Sequence, residues 1–198
     1  MKKYIYIIML ISVSCKAQYS LQNHDSAGDL PSGSYCADIF NDFNNYVGTW
    51  KAVQGNKELT FVLIKKTYVY YPFKDIYTDF LTGEYIYKEG NQTLIDTTPN
   101  FTSTDVRGNN INGNLFIKDN DYFPICDDCF PNERRIHLYF KDPTRTHVHA
   151  EIVLRHKVVN GVQLIKATLY ETLSITEEGD NLPEHITVPV GEYTLIKQ

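Results

Sequence analysis

Apolar and polar residues alternate along most of this chain from Gly48 onward, and Gly-Asn or Asn-Gly pairs interrupt the alternation. A period of two bounded by turn residues predicts strands joined in hairpins. GTWKAVQ and KELTFVLIKK flank Gly55-Asn56. A tight turn there pairs Gln54 with Lys57, sets Trp50 across from Phe61 and Ala52 across from Leu59, and points all four to one face. GEYIYKEG and NQTLIDT make a further hairpin around Gly90-Asn91, INGNLFIK is another strand, and VGEYTLIKQ is the last.

RRIHLYFK and THVHAEIVLRHK flank Asp142-Pro143-Thr144-Arg145. A two-residue turn would pair Phe140 with His147 and Leu138 with His149, mixing apolar and polar groups on each face. A loop over residues 143–145 instead pairs Phe140 with Val148, Leu138 with Ala150 and Ile136 with Ile152. That gives one apolar face and is the expected register. The other face, carrying Tyr139, His147 and His149 and pairing His137 with Glu151, is expected to meet solvent. The Asn160-Gly161 turn pairs Val159 with Val162, which sets Leu154 across from Ala167 and Ile152 across from Leu169. The same apolar face therefore continues into a third strand.

Together these segments predict an all-β domain over residues 46–198, an antiparallel up-and-down meander of about eight or nine strands. Closure into a barrel hides the two edges. A barrel of this size is filled by its own side chains or holds one small ligand. Residues 18–45 read as a polar linker with a short helical turn at 38–46, in which Phe43 shares a face with Ile39 and with Tyr46.

Residues 1–17 read as a signal peptide, with Lys2 and Lys3 before an apolar run over residues 4–13 that is too short to span a bilayer. Two processing readings stay open. One cleaves after Ala17 to leave Gln18 first, and the other lipidates Cys15 in Ser12-Val13-Ser14-Cys15. The protein is thus expected to be exported, to periplasm, outer membrane or medium, with a membrane attachment only through a lipid on Cys15.

The fifteen tyrosines fit half-buried pleated surfaces better than helices. The net charge is −5, and it becomes more negative once residues 1–17 are removed, because the only charges there are Lys2, Lys3 and Lys16. That balance argues against nucleic-acid partners, whose phosphates must be neutralised by Lys and Arg.

Tyr46-Val47-Gly48-Thr49-Trp50, opening the first barrel strand, resembles the Gly-X-Trp start of lipocalins and related calycin barrels. The resemblance implies a lipocalin-like barrel whose floor is closed by Trp50, with a basic side chain of the last strand, here Lys197, packed on it. The chain as a whole is similar to an uncharacterised family of small exported proteins of Bacteroidetes-type bacteria. The resemblance lies in Lys16-Ala17-Gln18, residues 41–50, LTGEY at 81–85 and the terminal GEYTLIKQ. It implies no activity.

Cys126-Asp127-Asp128-Cys129 admits three readings. Redox catalysis needs a thiolate, which the intervening carboxylates disfavour. Zinc would draw on His147 and His149. A structural disulfide between Cys126 and Cys129, preferred over a pairing of either with Cys36, suits an oxidising compartment and is the expectation. No metal or other cofactor is expected. Tyr68, Tyr70, Tyr71, Phe73, Tyr77 and Phe80 crowd around Pro72. They form either an aromatic rim for an apolar or sugar ligand or a half-buried cover over the barrel end. No phosphate loop, nucleophile elbow or His-Glu-x-x-His occurs. The sequence therefore points to a non-enzymatic cell-envelope module. It would hold a small apolar or amphipathic ligand in the barrel, with Trp50, Tyr68, Tyr70, Tyr71, Phe73 and Tyr77 as the candidate binding residues. The alternative is a structural or interaction protein with a filled barrel core.

Overall fold

The turns carry the register. In the computed structural model, Gln54 pairs with Lys57, Glu89 with Gln92 and Val159 with Val162, so all three Gly/Asn turns close as the sequence predicts. The structure describes residues 18–23, 30–101, 105–118, 123–176 and 181–198. The expected signal peptide and Cys15 lie outside those residues.

The strands in chain order are β1 (Gln18–Ser20), β2 (Tyr35–Ala37), β3 (Gly48–Gln54), β4 (Lys57–Tyr71), β5 (Ile76–Glu89), β6 (Gln92–Asp96), β7 (Ile111–Ile117), β8 (Arg135–Phe140), β9 (Val148–Val159), β10 (Val162–Ser174) and β11 (Gly191–Lys197). Eight of them, β3 to β5 and β7 to β11, form a closed antiparallel barrel. Closure comes from two short ladders. Ile196 and Lys197 of β11 pair with Lys51 and Trp50 of β3. Leu81, Thr82 and Gly83 of β5 pair with Gly113, Asn112 and Ile111 of β7.

One edge of β5 serves three partners in series. Its start pairs in parallel with β2, its centre with β7, and its end with β6. This long strand is what brings the segments before and after the barrel opening to one place.

The interior is packed with large side chains. Trp50, Phe61, Leu59, Leu63, Tyr85, Tyr87, Ile136 and Phe140 are all essentially buried, and the Tyr85 and Phe140 rings lie 4.5 Å apart. Each such side chain stabilises the fold by about 1.5–3 kcal/mol relative to exposure. The apolar face read from the sequence, Ile136, Leu138, Ile152, Leu154, Ala167 and Leu169, lines this core.

Three expectations need correction. The β8–β9 register is shifted: Phe140 pairs with Ala150, Leu138 with Ile152 and Ile136 with Leu154. The connection runs from Lys141 to His147, because Asp142 organises a wide loop. Its Oδ1 accepts from the Thr144 backbone at 2.8 Å, and its Oδ2 accepts from the distant Thr187 backbone at 2.6 Å. A shift of two residues preserves the inward face, so alternation alone could not distinguish the registers.

Second, the stretch 18–45 is not merely a linker in its described parts. β1 and β2 join the sheet, and Cys36, Ala37, Asp38 and Phe43 are buried. Third, the helical turn is a 3-10 turn over Asp42–Asn45 that buries Phe43, while Ile39 remains 46% exposed.

Candidate functional site

Trp50 is fully buried in the barrel interior. Its indole N–H donates to the Tyr46 carbonyl at 2.7 Å, and the Lys197 ammonium lies 5.3 Å from the ring centre. This contact with the last strand places Trp50 in the packing rather than on a ligand surface.

The aromatic segment divides between the two faces of the β4–β5 pair. The β4–β5 register slips between Lys66 and Val69, and Tyr68 takes a left-handed φ of 56°. One side gathers Tyr68, Tyr70 and Tyr77. The Tyr68 and Tyr77 rings stack at 4.2 Å, Tyr70 lies 5.4 Å from Tyr77, and the Tyr70 hydroxyl donates to Asp75 at 2.8 Å. Tyr35 joins them, 4.9 Å from Tyr68. The other side gathers Tyr71, Phe73 and Phe80, with Tyr71 5.6 Å from Phe73 and 6.4 Å from Phe80.

This second group forms one wall of a cleft of about 420 Å³ on the outer face of the barrel, where β5 meets β7 and β8. The same lining carries the polar Asn112, Asn114, His137, Tyr139 and Glu151, with Leu115 and Leu138 among them. The Asn114 side chain donates to Thr78 Oγ1 at 3.0 Å, and that of Asn112 to the Asn109 carbonyl at 2.9 Å. These bonds fix both amides. At the rim the Arg107 guanidinium sits 5.7 Å from the centre of the Phe73 ring, which is 79% exposed. Lys74 completes the rim from the β4–β5 turn.

The histidines divide unlike the expectation of one solvated face. His149 is exposed, and His147 Nε2 bonds the Pro183 carbonyl at 2.7 Å. His137 is buried, with Nε2 2.8 Å from Glu151, and the Tyr170 hydroxyl donates to the same carboxylate at 3.0 Å. Arg107, Asn112 and Asn114 were not singled out from sequence. The alternation within INGN marks a polar strand face, but only the nonlocal β5–β7 pairing sets it across from Phe80.

Cys126 and Cys129 are joined in the disulfide that the sequence leads one to expect, and as a disulfide they offer no thiolate to a zinc ion. Among the described residues no group of three or more His, Cys, Asp and Glu is placed to hold a metal ion. Cys36 remains a thiol at the edge of the cleft, and burial, followed by the charge of Asp79, pushes it up to about 11. Among the described residues no helix is long and apolar enough to cross a membrane.

The disulfide loop is clamped to β9 by charge. Asp128 accepts from Lys157 at 2.7 Å and from Arg155, which also bonds Glu133. These bonds, from Lys157 first and Arg155 next, lower the Asp128 carboxyl to about 2. A depressed folded value means that the clamp contributes above the ordinary carboxylate range and is lost as pH falls from about 4 through about 2. The stability difference between the native chain and Asp128→Asn is therefore expected to shrink over that window in acid titrations followed by circular dichroism. A difference that is constant across it would show that charge does not hold the loop.

No curated protein matches the chain, and no solved structure matches it. A family model does match, over residues 1–198. With the barrel and its outer cleft in view, the chain belongs to a family of unknown function, DUF6705.

Proposed function

We propose that this protein is an exported, non-enzymatic binding module of the cell envelope that takes a small amphipathic ligand in the outer cleft. The observation that carries this reading is a single lining in which the rings of Tyr71, Phe73 and Phe80 lie beside the polar groups of Asn112, Asn114 and His137. Cleft sites that bind small molecules combine apolar surface with a few fixed polar groups, and their volumes start at about 300 Å³. The apolar run over residues 4–13 and the Cys126–Cys129 disulfide support export. Maturation either exposes Gln18 or lipidates Cys15. The His137, Glu151 and Tyr170 side chains bond one another, an arrangement that suits orientation of a wall more than proton transfer.

A second reading has its own support. The packed interior, with Trp50, Phe61, Tyr85 and Phe140 buried together, favours a structural or interaction protein that holds no ligand.

Fluorescence titration with N-phenylnaphthylamine, a neutral apolar probe, separates the two. Saturable binding is expected, and Phe73→Ala is expected to weaken it about tenfold, the worth of one aromatic contact. Val53→Ala, at another exposed apolar position, is expected to leave it unchanged. Probe fluorescence that does not saturate, or that ignores Phe73→Ala, would favour the filled-core reading.

A further inference from the structure

We infer that the molecule taken by the outer cleft carries an anionic group beside its apolar ring or chain, and that Lys74 and Arg107 hold this group at the rim. The inference rests on the ligand-binding reading above and adds the chemical class of the ligand.

The charges of the cleft are unevenly committed. Its lining holds two permanent cations, Lys74 and Arg107, against one carboxylate, Glu151. Glu151 is already engaged by His137 at 2.8 Å and Tyr170 at 3.0 Å. The carboxylate next to Lys74 in sequence, Asp75, is bonded by Ser32 and by the Tyr70 hydroxyl on the other aromatic side. Arg107 meets Asp105 at 3.5 Å, but the Asp105 side chain is 62% exposed and does not line the cleft. Such a surface pair is weak and leaves the guanidinium field available. Lys141 adds a third cation nearby, its ammonium donating to the Arg107 carbonyl.

This positive rim stands on a protein of net charge −5, so it does not follow from overall composition. Low-dielectric walls focus such a field into the cleft. The Arg107 guanidinium lies 5.7 Å from the Phe73 ring centre, within cation–π reach, and its planar fork matches a carboxylate, sulfonate or phosphate oxygen pair. The apolar body of the ligand then lies on Phe80 and Tyr71, with its charged end outward.

A matched pair of probes tests this on the full chain: anilinonaphthalene sulfonate and its neutral parent, N-phenylnaphthylamine. The sulfonate is expected to bind about tenfold more tightly. Added salt is expected to narrow the gap. Lys74→Gln combined with Arg107→Gln, both at solvent-facing positions, is expected to bring the two probes level, while Phe73→Ala weakens both. Equal binding by the native chain, or a gap that survives the double substitution, overturns the anionic assignment and leaves the ligand-binding reading standing. Failure of both probes to bind overturns both.

Discussion

Replacing Gly83 with alanine is expected to destabilise the barrel by about 3 kcal/mol, the upper end of the usual cost of overpacking. Gly83 is the β5 residue at which the barrel closes, paired with Leu63 of β4 on one side and Ile111 of β7 on the other. A β-carbon there would lie 2.2 Å from the Val62 carbonyl oxygen and 2.8 Å from Leu63 Cδ2. The nearer obstacle is backbone, which cannot swing aside as a side chain does. Gly113, across the same ladder, is also tight, since a β-carbon on it would come within 3.0 Å of the His137 carbonyl oxygen. Urea denaturation of Gly83→Ala provides the measurement. A midpoint within error of the native chain would mean that β4 and β5 are farther apart than these distances imply.

Asp38→Ala is expected to cost about 3–5 kcal/mol, the range for stripping one partner from a buried ion pair. Asp38 is almost completely buried and gathers four donors. One oxygen accepts from the Gln22 amide and the Asp42 backbone, and the other from the Phe43 backbone at 3.1 Å and the Lys65 ammonium at 2.8 Å. Its own N–H donates to Asp79 at 3.0 Å. Removing the carboxylate leaves the Lys65 charge and two backbone donors without these acceptors, in a region that ties the segment before the barrel to β4. Because Trp50 is the single tryptophan, its fluorescence reports the unfolding transition. Asp38→Asn, which keeps one acceptor oxygen, is expected to lose less. Equal stability of all three proteins would show that the cluster does not anchor the segment.

Much of the sheet was legible because its turns are short. Gly55-Asn56, Gly90-Asn91 and Asn160-Gly161 each leave one way to pair the flanking residues, and burial of alternate side chains then confirms it. Where the connection is long, that logic stops. The β8–β9 loop depends on Asp142 reaching Thr187, a contact between remote parts of the chain. The short strands β1 and β2 carry too few residues for a period to show. Their burial depends on polar anchors such as Asp38, which resemble linker residues when read one at a time.

The cleft was half legible. The crowding of aromatics around Pro72 stands out in the sequence, but which rings share a side follows from the pairing of Tyr70 with Tyr77 and Tyr71 with Ile76, which gathers Tyr68, Tyr70 and Tyr77 on one side and Tyr71, Phe73 and Phe80 on the other. The polar wall was hidden for a different reason. It is contributed by β7 and β8, which reach β5 only when the barrel shuts.

That mode of closure divides the molecule into two curved leaves, one of β3 to β5 and one of β7 to β11. Each leaf is built from neighbours in sequence, whereas the hems that stitch the leaves together are only two and three residue pairs long. Contacts close in sequence form early, and distant ones bear the loop-closure cost. Trp50 and Lys197 lie near opposite ends of the barrel sequence, so the contact that seals the core there carries a large loop-closure cost.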